Sequence, residues 1–223
     1  MGVPVLVIGK SGAGKSASLR NCVGNKDFNV INVLDKPFPF RGKINSGATD
    51  DYNQVMKWLI QFPGKSIVID DAGYLITNMF MNGHSNAGAG NGVFSFYNKI
   101  GDHFWNLIEF IKKSVPADKI IYVVMHEDTD DYGNIRPKTI GKLLDEKVCI
   151  EGMFTIVLRA VVQNGKHIFL TQSSGSDVAK TPMGMFETAE IDNDITVVDK
   201  AIREYYEIDK TNETNETKEE KKK

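Results

Sequence analysis

Long apolar runs are missing from this chain. No hydrophobic stretch approaches the roughly 18 residues that a membrane-spanning helix needs, so no membrane partner is expected. The opening Met1-Gly2-Val3-Pro4-Val5-Leu6 lacks the charged region that precedes the apolar core of a secretion signal. Leu6 also stands where a myristoylation signal wants Ser or Thr, and a cytoplasmic location is expected. Cysteine is scarce too. Cys22 and Cys149 are the only two, with no CxxC spacing and no His at ligand distance, which favours free thiols over a disulfide framework or a zinc site. Net charge is small at −2, so the chain as a whole offers nucleic-acid phosphates no long-range attraction and any contact needs a local basic patch. Arginine is absent between Gly42 and Arg136, where a small-molecule kinase would normally carry lid arginines.

What is present suits a single large domain: 223 residues, 41% hydrophobic and 25% charged, are enough to bury a core without staples. Residues 1–207 are expected to form that domain. Residues 208–223, a charged Thr/Asn/Glu/Lys tract without apolar periodicity, are expected to be a disordered tail.

Short apolar β-prone runs alternate with helical patterns along the chain. Val3–Ile8, Phe28–Leu34, Ser66–Asp71 and Ile120–Met125 read as strands, and the fully apolar ones as strands buried on both faces. Asp50–Phe62 repeats apolar residues at spacings of three and four and stops at Pro63-Gly64, which predicts an amphipathic helix. Asn78–Asn98 is rich in Gly and Asn and reads as a mobile loop before a long helix over Tyr97–Lys113. Glu127–Arg136 reads as an acidic loop ahead of a short helix near Lys138–Asp145. The β-rich runs Met153–Val162 and Lys166–Thr171 meet at Asn164-Gly165, a hairpin signal. Ala189–Tyr206 is expected to supply a last helix. The fold class is therefore α/β, with a mostly parallel central sheet flanked by helices and a C-terminal antiparallel hairpin.

The segment carrying the most chemistry is Gly9-Lys10-Ser11-Gly12-Ala13-Gly14-Lys15-Ser16. It fits GxxxxGK[ST] at every constrained position and lies between a predicted strand and a predicted helix, the context that gives the motif weight. Glycines let backbone N–H groups curl around phosphate oxygens, and a helix start adds further donors. On this reading residues 9–16 and Ala17 bind the triphosphate of ATP, and Lys15 reaches its β- and γ-phosphates. Ser16 would give a hydroxyl to Mg²⁺, which keeps several waters and needs only one or two more protein oxygens. Asp70, ending an apolar strand, is the candidate second ligand.

Other polar residues at predicted strand ends have two readings each. Asp71 is a water-positioning base or a helix N-cap. Asp35 reaches the nucleotide or caps the turn before Pro37. His126 senses the γ-phosphate or is a hydrogen-bonded edge residue.

Together with Pro37-Phe38-Pro39-Phe40-Arg41-Gly42, Lys138-Thr139-Ile140-Gly141-Lys142 and Ala179-Lys180-Thr181-Pro182-Met183-Gly184-Met185-Phe186, these features resemble the compact RecA-like P-loop proteins encoded by phages. The resemblance spans roughly residues 3–190 and implies a RecA-like ATPase core related to single-strand annealing ATPases. It implies Mg-dependent ATP hydrolysis in phage DNA recombination, with single-stranded DNA and a phage single-strand binding protein as partners. The alternative is an ATP-dependent scaffold or loader with little direct DNA contact.

The resemblance also implies a homo-oligomer in which a neighbouring subunit's cation completes each site. Lys180 is the candidate, with Arg159 as rival. Because classical recombinases polymerise through a domain ahead of this motif, any assembly is expected to form through the ATPase core. The segments Asn78–Asn98 and Glu127–Lys142 would face DNA, with Arg136, Lys138 and Lys142 on phosphates. Phe94, Phe96 and Tyr97 either stack on bases or start a helix. Glu127, Asp128, Asp130 and Asp131 run against DNA contact.

Overall fold

Val5, Leu6, Val7 and Ile8 are all fully buried, because the strand that carries them, β1 (Val3–Gly9), has a hydrophobic layer on each side. Period-2 alternation sends Leu6 and Ile8 into one core and Val5 and Val7 into another. The computed structural model describes residues 1–88, 90–140 and 148–209. Its strands are β1, β2 (Phe28–Asn32), β3 (Asn45–Ala48), β4 (Ser66–Asp70), β5 (Ile120–Thr129), β6 (Ile135–Pro137), β7 (Ile156–Gln163), β8 (Lys166–Leu170) and β9 (Glu190–Asp192). They form one mixed sheet in the order β3-β2-β4-β5-β1-β7-β8-β9, with β6 pairing off β5.

From β3 through β7 neighbouring strands are parallel, and β8 and β9 continue antiparallel. The protein is thus α/β, with a mostly parallel central sheet. Helices α1 (Tyr52–Gln61), α2 (Gly73–Gly83) and α3 (Asn91–Ser114) contribute to the core that holds Leu6 and Ile8. The 3-10 helix Ser16–Cys22 and α4 (Ile195–Tyr206) contribute to the other.

Local chemistry explains most boundaries. Asp51 caps α1 by accepting from the Gln54 N–H at 2.7 Å. At the other end, the buried Lys119 ammonium donates to the carbonyls of Leu59, Ile60 and Phe62. Asp194 caps α4 through the Thr196 N–H at 2.9 Å. Asn164 (φ 51°) and Gly165 (φ 74°) both adopt left-handed backbone, as a two-residue type I′ hairpin requires, and they join β7 to β8.

Four expectations fail here. Residues 78–98 are mostly helical: α2 continues to Gly83, a 3-10 turn covers His84–Asn86, and α3 starts at Asn91 rather than Tyr97. Gly83 lets two helices approach, since a Cβ there would lie 2.5 Å from the Phe96 ring. Phe96 and Tyr97 pack beside Phe80. Second, Glu127–Arg136 is not a plain loop, because β5 runs on to Thr129 and turns back into β6. The Asp130 carboxylate closes that turn by accepting from Tyr132 and Asn134.

Third, Lys138–Ile140 is not helical; the remainder of the expected helix, Lys142 included, lies outside the described residues. Fourth, the helix expected from Ala189 is preceded by β9 and starts only at Ile195. Ile208 is buried against α4's core, so packing continues past Glu207; the tail from residue 210 lies outside the described residues.

A buried polar network pins α4 to the sheet. Asp199 accepts from Ser66 Oγ (2.5 Å), Tyr122 Oη (3.0 Å) and Arg203 Nε (2.7 Å). Arg203 in turn donates to the Lys65 and Asp118 carbonyls. Truncating one partner of a buried ion pair leaves the other charge unanswered. Asp199→Ala should therefore lower unfolding free energy by about 3–5 kcal/mol, against about 1 kcal/mol for Tyr122→Phe, both read by urea denaturation.

Candidate phosphate-binding site

β1 lies between β5 and β7, with Gly9 in register with His126 on one side and Ala160 on the other. A Cβ on Gly9 would stand 2.7 Å from the Ala160 carbonyl oxygen, so only glycine lets the chain leave the sheet there. The chain then folds over the C-terminal edge of the sheet, and the Ala13 N–H returns to the Lys10 carbonyl at 3.1 Å. Gly14 combines φ of 100° with walls on its hydrogen side: a Cβ would meet His167 Nδ1 at 2.8 Å and Asn193 Oδ1 at 3.0 Å. His167 Nδ1 also lies 3.1 Å from the Ala13 carbonyl oxygen, tying the β8 strand to the loop.

Lys15 is buried, and its ammonium donates to the Gly9 carbonyl at 2.8 Å and the Lys10 carbonyl at 2.9 Å. Burial lowers its pKa, against the charges of Asp71 and Asp70, which raise it. The next residue points to the neighbouring strand end, where Ser16 Oγ donates to Asp70 Oδ1 at 3.0 Å. Burial, reinforced by the adjacent Asp71 charge, pushes the Asp70 carboxyl up to about 6, with the Ser16 hydrogen bond pulling the other way.

Asp71 follows in left-handed backbone at φ 59°, and its buried carboxylate forms an ion pair with Lys36. His126 stands between the charges, with Nδ1 3.4 Å from Lys15 Nζ and Nε2 3.6 Å from Asp71 Oδ1. Burial and the Lys15 charge lower the His126 pKa, so the ring is neutral near pH 7 and the Asp71 approach is a contact rather than a salt bridge. The Tyr74 ring and the imidazole meet in a T-shaped arrangement, centroids 6.1 Å apart.

These groups line a cavity of about 390 Å³ whose walls include Ser11, Gly12, Lys15, Ser16, Asp71 and His126. A wider cleft of about 640 Å³ adjoins it, sharing Ser11, Lys36 and His126 and adding Lys10, Tyr74 and Lys138. Loop, strand end and hydroxyl thus bring an ammonium and a hydroxyl–carboxylate pair to one point of the sheet edge. Among the described residues no group of three or more His, Cys, Asp or Glu could hold a metal ion. A hydroxyl and one carboxylate suit a cation that keeps most of its waters.

Of the expected site residues, Lys15, Ser16, Asp70, Asp71 and His126 come together, with Ala17 lining the same cavity. Asp35 is exposed in the turn after β2 and lines neither cavity. Its neighbour Lys36 takes the place instead, a residue the sequence reading missed. Asn32 holds that turn, donating to the Lys36 carbonyl at 2.7 Å and accepting from its N–H at 3.4 Å. A polar Asn at the end of an apolar strand was the available signal.

Arg159 is engaged within its own chain, donating Nε and Nη2 to the two oxygens of buried Glu127 at 2.8 and 2.9 Å. Lys180 makes a two-hydrogen-bond bridge to Val157, which is level with Leu6 rather than with Gly9. It is thus away from its own chain's loop. No protein-family model matches the chain, and a search of curated proteins finds no match.

The raised Asp70 pKa has a consequence for stability. The folded state holds a proton on Asp70 up to about pH 6, whereas the unfolded chain releases it near the ordinary 3.8. Folding stability from this group is therefore highest below the unfolded value and falls as pH rises from about 4 through 6. Asp70→Asn should flatten that fall and stabilise the metal-free protein at pH 7 by on the order of 2–3 kcal/mol, measured by denaturation across pH 4–8.

Proposed function

We propose that this chain binds a nucleoside triphosphate, ATP being the expected substrate, and hydrolyses its terminal phosphoanhydride with Mg²⁺. The carrying observation is the loop at the end of the central strand β1, with Lys15 inside it and Ser16 Oγ 3.0 Å from the Asp70 carboxylate. Lys15 would exchange the Gly9 and Lys10 carbonyls for β- and γ-phosphate oxygens. Ser16 and Asp70 would hold Mg²⁺, which neutralises phosphate charge and offsets the cost of the buried carboxylate.

Hydrolysis needs a water positioned in line with the bond that breaks: its oxygen attacks the γ-phosphorus and the bridging oxygen departs with the bonding pair. Asp71 is the carboxylate that can accept that water's proton, with His126 as a neutral neighbour able to orient it. Lys36 pairs with Asp71, so a shift of Lys36 toward phosphate would free the base. Lys180 of an adjacent subunit remains the candidate cation for completing the site in a RecA-like assembly.

The purpose served is proposed as phage DNA recombination by single-strand annealing, which rests on the resemblance. A second reading, a nucleotide-dependent scaffold, is favoured by the acidic turn that follows His126 along β5, with Asp128 and Asp131 exposed.

Lys15→Ala should cut ATP turnover by about 10²–10³-fold or more while leaving the circular dichroism spectrum unchanged. Turnover at the wild-type rate would overturn the phosphate-site reading. For the annealing role, single-stranded oligonucleotides should bind more tightly with ATP than without it, and binding should weaken steeply as salt rises. An absence of ATP-linked binding at low salt decides for the scaffold.

A further inference from the structure

The phosphate cavity has two ends. One, at Ser11, Lys36 and His126, opens into the wide cleft beside Lys10 and Lys138. The other, at Ala17 and His167, adjoins a separate cleft of about 390 Å³ walled by the β7–β8 turn, Arg20 and Asn193. That volume lies within the range of small-molecule sites, about 300–1,000 Å³. If the terminal phosphate is at the Lys15–His126 end, the nucleoside belongs at the other.

Asn193 is unusual within this second cleft. It is 1% exposed, and neither its side-chain oxygen nor its side-chain nitrogen has a hydrogen-bond partner. Its backbone is fixed on both sides, the N–H donating to Asp192 Oδ1 at 3.0 Å and the carbonyl accepting from the Arg20 guanidinium. The amide oxygen is held against Gly14 of the phosphate loop. A buried amide with all its hydrogen bonds unmade is costly to a fold. The cost is removed when a ligand supplies the missing donor and acceptor.

On its N7 edge adenine presents an amino donor beside a ring acceptor, the complement of a primary amide, whereas guanine presents two acceptors there, O6 and N7, which suit a guanidinium. The guanidinium here is Arg20, already engaged by the Asn193 carbonyl and by Asp192 at 3.5 Å. We infer that this cleft is the nucleoside subsite and that Asn193 reads the adenine edge, making the chain selective for ATP over GTP. The inference rests on the phosphate-site reading and extends it to the base.

The test is titration of wild type, Asn193→Leu and Asn193→Asp with Mg²⁺ and ATP, GTP or inorganic tripolyphosphate, alongside thermal unfolding without ligand. Wild type should bind ATP about ten- to a hundred-fold more tightly than GTP. Asn193→Leu should erase that difference, leave tripolyphosphate affinity unchanged and unfold at the same or a higher temperature, since it removes an orphaned amide. Asn193→Asp, which keeps the size and loses the donor, should also lose the ATP preference and serves if the leucine variant does not fold.

An ATP:GTP ratio unchanged in the variants overturns the base assignment alone, provided tripolyphosphate still binds. So does a leucine variant that unfolds earlier with its nucleotide preference intact, the behaviour of an amide that holds a structural water. Failure of wild type to bind tripolyphosphate overturns the phosphate reading, and the base assignment with it.

Discussion

A buried ammonium must be answered by something, and at the end of β1 it is answered by main-chain carbonyls. Lys15 donates to Gly9 and Lys10, residues of the very loop that carries it, so the loop's curl and the lysine's position fix each other. The curl in turn depends on Gly9 leaving the sheet within 2.7 Å of the Ala160 carbonyl, the distance a Cβ would have to fit. That contact exists only because β1 is flanked by parallel strands on both sides. Sheet order, one glycine and one desolvated charge are thus a single constraint.

The same strand order gathers the remaining charges. β5 lies between β1 and β4, so His126 stands between Lys15 and Asp71 instead of the two meeting directly. β2 lies beyond β4 and brings Lys36 back across the edge to Asp71. Away from the site, Arg203 and Asp199 clamp α4 against the other end of the strands, where Ser66 and Tyr122 join them.

Much of this was legible in sequence where the signal was local. The apolar strands, the Asn164-Gly165 turn and the loop-forming glycines depend on neighbours a few positions away, and periodicity or turn chemistry reports them directly. Residues whose role depends on distant partners were not legible. Lys36 drew no reading of its own; its place at the site comes from Asp71, two strands further along the sequence. Gly83 looked like flexibility and is instead a close helix contact with Phe96. β3, with the sequence Asn45-Ser46-Gly47-Ala48, has little strand propensity and exists because β2 offers it a parallel partner.

On the proposed function, the charge arrangement also constrains how ligands would enter. Lys15 and Lys36 face Asp70 and Asp71 in a setting that lowers the Lys15 pKa and raises that of Asp70, both through desolvation. Two cationic and two acidic side chains thus face one another at the sheet edge. An added polyphosphate by itself brings uncompensated negative charge beside two carboxylates, and a divalent cation by itself brings uncompensated positive charge beside two ammonium groups. Entering together, as the proposed function has it, they would supply both signs: phosphate oxygens would answer Lys15 and Lys36, and the cation would answer Asp70. On the proposed function, binding of the two would therefore be coupled, each raising the affinity of the other by the same factor.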